Sequence, residues 1–134
     1  MSEGPLLLYD GVCALSNAAV GFVLKRDRSC TVRFAPLQGE TAGPLLAERP
    51  ELAAIDSMIW IDTDGRAFTR SGAALAIARH VGGGWAVLAA LGRVIPAVLR
   101  DAIYDLIARI RYRVFGRYDA CPVPPPEHRV RFLP

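Results

Sequence analysis

Cysteine is scarce in this chain: three residues in 134, an odd number. That excludes a small fold stapled by disulfides. Cys13, Cys30, Cys121, His80 and His128 are too far apart in sequence to form the closely spaced pairs of a structural zinc site, so no metal is expected. A large charge of one sign is also missing. Sixteen bases against thirteen acids leave +3, residues 1–99 balance to zero, and there is no basic run with interleaved aromatics; the surplus is too small to imply nucleic acid, and no nucleic-acid partner is expected. Lysine is nearly absent; fifteen of the sixteen bases are Arg, which reads as genomic composition bias. No apolar run is long enough to span a bilayer. The best stretch, Gly84–Leu99, is cut by Arg93 and Pro96 and falls short of the roughly 20 residues required. It reads as a buried helical hairpin, and the sequence argues against membrane contact. The start, Met1-Ser2-Glu3-Gly4-Pro5, does not read as a secretory signal, so the expected compartment is the cytoplasm.

Apolar residues make up 52% and charged residues 22%, enough for one sizeable core. Leu6–Tyr9 reads as a short buried strand running into the turn signal Asp10-Gly11. Leu15, Ala19, Phe22 and Val23 then fall on one face of a helix that ends near Lys25-Arg26-Asp27-Arg28. Thr31–Ala35 alternates as a second strand, completing a βαβ unit with parallel strands. Residues 38–54 read as helical with a break at Pro44 or Pro50. Ser57–Ile61 and Arg66–Arg70 form a hairpin about Asp62-Thr63-Asp64-Gly65. Ser71 reads as the N-cap of a helix through His80, ended by Gly82-Gly83-Gly84. Two more helices, 85–93 and 97–115, follow, the second with an apolar stripe of Leu99, Ile103, Leu106, Ile110 and Val114, and then a Pro-rich tail. Trp60 and Trp85 read as core aromatics. The order predicts a single α/β domain over residues 1–134, thioredoxin-like in its core (about 5–82), with a helical extension and tail over 83–134.

Cys13 stands at the predicted start of a helix, where backbone N–H groups lack partners and the helix dipole is positive. Thiols so placed can have pKa values lowered from about 8.5 to about 3.5–7.5, and the thiolate is the nucleophile. A buried structural cysteine is the competing reading. One turn on stands Ser16, which can hydrogen-bond a thiolate but cannot form a disulfide, or is an ordinary first-turn residue. Asp10 could serve as a buried acid or base toward Cys13, or could cap the helix. Asn17 reads as a surface or first-turn residue and Cys30 as structural. Arg109, Arg111 and Arg113 could hold an anion or line a solvated face; Asp105 and Arg109 form a favourable helix pair.

Tyr9-Asp10-Gly11-Val12-Cys13-Ala14-Leu15-Ser16-Asn17 resembles the opening of the DCC family of thiol-disulfide oxidoreductases, named for an Asp and two Cys in a pattern like Y-D-G-x-C-x-x-C. Asp10 and Cys13 match it, and Ser16 replaces the second Cys. Further stretches are similar to the family: Arg33–Gln38, Arg70–Ala74, Tyr104-Asp105-Leu106 with Arg111-Tyr112-Arg113, Phe115-Gly116-Arg117, and Asp119-Ala120-Cys121-Pro122-Val123-Pro124. The resemblance covers nearly the whole chain and implies a thioredoxin-like fold and thiol-disulfide chemistry. The cis-Pro of thioredoxins at large has no counterpart before Met58.

The expected activity is a monothiol one. Cys13 attacks a disulfide, with Ser16 and Asp10 beside it. Cys121 or an external thiol such as glutathione resolves the mixed disulfide. Arg109 and Arg113 are the candidate contacts for the glutathione anion, no cofactor is expected to be bound, and the partners are disulfide-containing or glutathionylated proteins or small thiols. The alternative is a redox-inactive thioredoxin-fold domain that binds a partner. A third reading anchors residues 84–99 on a membrane surface.

Overall fold

The computed structural model describes residues 4–11, 13–27, 31–53, 58–116 and 131–133. β1 (Leu6–Tyr9) is apolar at every position and takes the centre of the sheet, where both faces are covered. α1 (Ala14–Arg26) follows and ends on Lys25 and Arg26, cations at the negative end of the helix dipole. β2 (Arg33–Pro36) pairs parallel to β1 with Tyr9 opposite Pro36. α2 (Ala42–Glu48) and α3 (Pro50–Ala53) form the crossover. Their break falls at Arg49, whereas Pro44 sits in the first turn of α2, where a missing N–H costs no helix bond. β3 (Ile59–Ile61) runs antiparallel to β1, and β4 (Ala67–Thr69) antiparallel to β3.

The sheet order is β2-β1-β3-β4. The parallel βαβ unit followed by an antiparallel hairpin is a thioredoxin-like α/β arrangement. In the hairpin turn the Arg66 backbone N–H and guanidinium both donate to Asp64 and hold its pKa below the usual value, the backbone bond foremost.

α4 (Arg70–Val81) packs with α1 on one face of the sheet. Period-two alternation sorts the core. Leu7, Tyr9, Phe34 and Trp60 join Val20, Val23, Ala73 and Ile77 on that face, while Leu6, Leu8, Ala35 and Ile59 meet Ala42 and Leu52 on the other. Ser71 is not the cap of α4. Thr69 holds the cap position, and Ser71 lies buried in the first turn, where its Oγ and N–H both donate to Asp101 Oδ1, at 2.5 and 3.3 Å. A carboxylate from a later helix thus takes the anion position at the start of α4.

α5 (Gly84–Gly92) rests on α4, and α6 (Ala97–Val114) rests on α4 and α1. This pair departs from the expected buried hairpin. Trp85 is 41% exposed, and the stripe Leu99, Ile103, Leu106, Ile110 and Val114 points outward. The reason is local. The inward face of α6 is spent on polar contacts, Asp101 to Ser71 and Arg111 to Asp10, which leaves the apolar face outside.

Residues 131–133 lie along the free edge of β2. Phe132 bridges Phe34 in parallel and stacks on it at 5.0 Å, and the Leu133 N–H donates to the Phe34 carbonyl. The segment is locked by Asp27, a buried carboxylate at the end of α1. Asp27 accepts the Thr31 and Val32 N–H groups, Arg131 Nη2 at 2.7 Å, and meets His80 Nε2 at 3.1 Å.

Candidate functional site

The site forms where β1 hands over to α1. Beyond the strand ends, the Leu37 N–H still donates to the Tyr9 carbonyl at 2.7 Å, so the β1–β2 register carries Gln38 alongside Asp10 and Gly11. Gln38 uses both ends of its amide there: Oε1 accepts the Gly11 N–H and Nε2 donates to Asp10 Oδ1 at 2.9 Å. The other carboxylate oxygen of Asp10 meets Arg111 Nη2 at 3.6 Å, and both side chains are almost completely buried. Arg111 also donates to the Ala108 carbonyl. One strand end, one loop and one late helix therefore converge on Asp10.

Cys13 is held three residues further on. Its N–H donates to the Asp10 carbonyl at 3.2 Å, closing a turn, and its backbone is extended as the N-cap residue of α1. Its carbonyl accepts both the backbone N–H and Nδ2 of Asn17, and the same Nδ2 donates to Gly11. Asn17 thus clamps the loop that carries Cys13, a role the sequence reading missed. No acidic residue stands in the first turn of α1. Ser16 is buried one turn along the helix.

The first amide of α1 is closed from outside. The Ala14 N–H donates to the Gly116 carbonyl at 3.2 Å. Gly116 has φ +95°, a conformation side-chain-bearing residues rarely adopt, and this turn aims its carbonyl at α1 just after α6 ends. The capping role open to Asp10 is therefore taken by Cys13 in position and Gly116 in bonding, and the Asp10 carboxylate turns to Gln38 and Arg111 instead. Cys13 itself is fully buried.

The remaining candidates separate. Arg109 and Arg113 are exposed on the outward side of α6, and Arg111 between them is the one that reaches the site. A signal for it existed in the sequence. Asp101, Ala108 and Arg111 share the helix face opposite the apolar stripe, and an acid or base on that face points inward once the stripe points outward. Cys121 and Cys30 lie outside the described residues. Among the described residues no three His, Cys, Asp or Glu side chains converge as a metal-binding group, and no helix is long and apolar enough to cross a membrane.

Comparison with known proteins gives a consistent relationship. The chain is 41% identical to YuxK of Bacillus subtilis (strain 168) over 130 residues, covering 96% of this chain and 93% of that protein. It is 36% identical over 118 residues to the chloroplastic DCC family protein At1g52590 of Arabidopsis thaliana, covering 87% of this chain and 68% of the relative. No solved structure matches it. The profile of the DCC1-like thiol-disulfide oxidoreductases matches residues 7–117, from the central strand through the site to the end of α6. The chain belongs to the DCC1-like thiol-disulfide oxidoreductase family.

Proposed function

We propose that the protein exchanges thiols and disulfides through the single sulfur of Cys13. The observation that carries this reading is the position of Cys13 as the N-cap residue of α1, with no acid in the first turn, inside a family defined by this chemistry. The Cys13 thiolate attacks one sulfur of a substrate disulfide. The substrate S–S bond breaks, a Cys13 mixed disulfide forms, and the displaced substrate thiolate takes up a proton. A second thiol then breaks the mixed disulfide. When that thiol is glutathione and the adduct is glutathionyl-Cys13, the products are oxidised glutathione and free Cys13. When it is Cys121, the product is an internal disulfide that an external reductant must reopen. Ser16 supplies a hydroxyl where the family pattern has its second thiol, so it assists the sulfur without resolving it. The partners under this reading are glutathionylated or disulfide-containing proteins or small thiols. The setting is the cytoplasm, where glutathione keeps thiols reduced. Asp10 acts as a positioning residue: buried and neutralised by Arg111, it holds the turn that presents Cys13. Arg109 and Arg113 enter only as outlying anion contacts.

The test is peptide mapping by mass spectrometry after mild treatment with oxidised glutathione, with Cys13→Ser as control. A glutathione adduct on Cys13, or a Cys13–Cys121 disulfide, is the expected result, and the product distinguishes the two resolving routes. An unmodified Cys13 in the folded protein rules the reading out.

One observation favours a second reading, a redox-inactive domain that binds a partner through the same fold: the Cys13 side chain is fully buried. Alkylation separates the two. If Cys13 in native protein is labelled only under denaturing conditions, the sulfur is structural and the binding-domain reading stands.

A further inference from the structure

α6 presents its polar face to the protein and its apolar face to solvent. Leu99, Ile103, Leu106, Ile107, Ile110 and Val114 are each between 36% and 62% exposed. The most open positions lie near the turn from α5, where Val94 is 81% and Val98 84% exposed. Among the described residues, all fourteen exposed large apolar side chains fall between Trp85 and Phe115, and none lies on the sheet or on α1–α4. Fourteen such side chains at about half exposure amount to an apolar area on the order of 1,000 Å², where an ordinary monomer's largest patch is about 300–600 Å². One side of a standard protein interface takes about 800 Å². The area matches what a stable dimer needs.

We infer that this face joins two copies of the chain, with α6 packed antiparallel against α6 of the second copy. Two features select that occupant and that direction. Leu99, Ile103, Leu106 and Ile110 follow one another at steps of four, three and four, the spacing of a helix–helix seam. Along the flank of the stripe, Asp105 comes first, and Arg109 and Arg113 follow it at steps of four. A two-fold axis across the helix brings this flank against the same flank of the other copy and sets the acid of each against the bases of the other, twice over, whereas a parallel pair turns it toward the partner's opposite flank and makes no such match. Asp105 is open to this second partner. Its contact with Arg70 is 3.6 Å long, and both side chains are nearly half exposed. The inward face of the same helix carries Arg111 to Asp10, so a second copy braces the helix that completes the site. The inference stands independently of the redox reading.

Sedimentation equilibrium on the full chain without detergent tests it. The expected result is twice the chain mass at micromolar concentration. Leu106→Glu with Val114→Glu changes side chains that are 58% and 62% exposed, and is expected to give a monomer with an unchanged circular dichroism spectrum. If that variant misfolds, charge exchange decides. Asp105→Arg is expected to weaken the dimer about tenfold or more by setting Arg against Arg. Adding Arg109→Asp is expected to restore it. A monomer at every concentration overturns the inference, as does a dimer indifferent to Asp105→Arg, or a charge exchange that does not recover association. Wild-type protein that stays monomeric but sediments with vesicles of anionic phospholipid also overturns it and assigns the face to lipid.

Discussion

Replacing Arg111 with Met should be among the most damaging single changes in this protein, although Arg111 lies 98 positions in sequence from Cys13. Its guanidinium meets the Asp10 carboxylate at 3.6 Å with both side chains nearly inaccessible to water. At an effective dielectric of about 20, the gross attraction at that distance is about 5 kcal/mol. Desolvation cancels most of this, so the intact pair contributes little net stability; removing one partner leaves a charge stranded, at about 3–5 kcal/mol. Gln38 still donates to Asp10 after the change, which puts Arg111→Met near the lower end, about 3 kcal/mol. Asp10→Asn strands the Arg111 charge and should cost about the same. The double variant strands neither, so its cost should fall well short of the sum, with a coupling of about 2–3 kcal/mol. Urea unfolding followed by tryptophan fluorescence measures all four proteins, with the buried Trp60 as reporter. With a slope of about 1–3 kcal/mol/M, each single variant should lose between about 1 and 3 M in midpoint. All four proteins are compared at one concentration, because association adds to apparent stability. An Arg111→Met cost below about 1 kcal/mol, or single costs that simply add, would refute the buried-charge reasoning.

The other changes probe separate parts of the architecture. Arg131→Met should cost about 1.5–3 kcal/mol in the same unfolding assay, because the buried Asp27 loses a charged hydrogen bond and keeps only its contacts with Thr31, Val32 and His80; susceptibility of the C-terminal end to carboxypeptidase should rise in parallel. A loss under about 1 kcal/mol would mean that Phe132 stacking and the Leu133–Phe34 hydrogen bond hold the segment without Arg131. Gly116→Ala forces a side chain into φ +95° and should cost about 1–2 kcal/mol, with faster amide exchange at Ala14 as its local signature. Unchanged exchange at Ala14 would show that the Gly116 carbonyl is dispensable. Ser16→Cys restores two thiols one helical turn apart. It should yield an intramolecular disulfide between Cys13 and the introduced thiol under mild oxidation, and faster reduction of insulin than wild type. A variant that gains neither would separate Cys13 from redox chemistry.

Much of the core was legible because its signals are local. The apolar run Leu6–Tyr9, the helical spacing after Cys13 and the Asp62–Gly65 turn each depend on a few neighbouring residues, and β1, α1 and the β3–β4 hairpin stand where those signals put them. Cys13 at the start of α1 was readable for the same reason. Gln38 was visible only as part of a resemblance. Its bonds to Gly11 and Asp10 depend on the β1–β2 register, which no local pattern specifies. Ser71 looked like a cap because Ser commonly caps helices, yet the carboxylate that serves the start of α4 comes from Asp101, thirty residues later.

By itself the sequence determined which segments are strands and which are helices, the amphipathic character of α6, and the thiol placed at a helix start. Periodicity and turn chemistry are properties of short stretches of chain and survive without tertiary context. Only the tertiary structure decided which way α6 faces. An apolar stripe specifies that some surface must cover it, and leaves open whether that surface belongs to the same chain. Polar contacts decided the matter: Asp101, partly buried, is committed to the buried Ser71, and the buried Arg111 to Asp10, and neither can exchange places with Leu106 without leaving a buried polar partner unmatched. The same turn of the helix brings Arg111, rather than Arg109 or Arg113, to the site, and leaves the stripe from Leu99 to Val114 facing solvent.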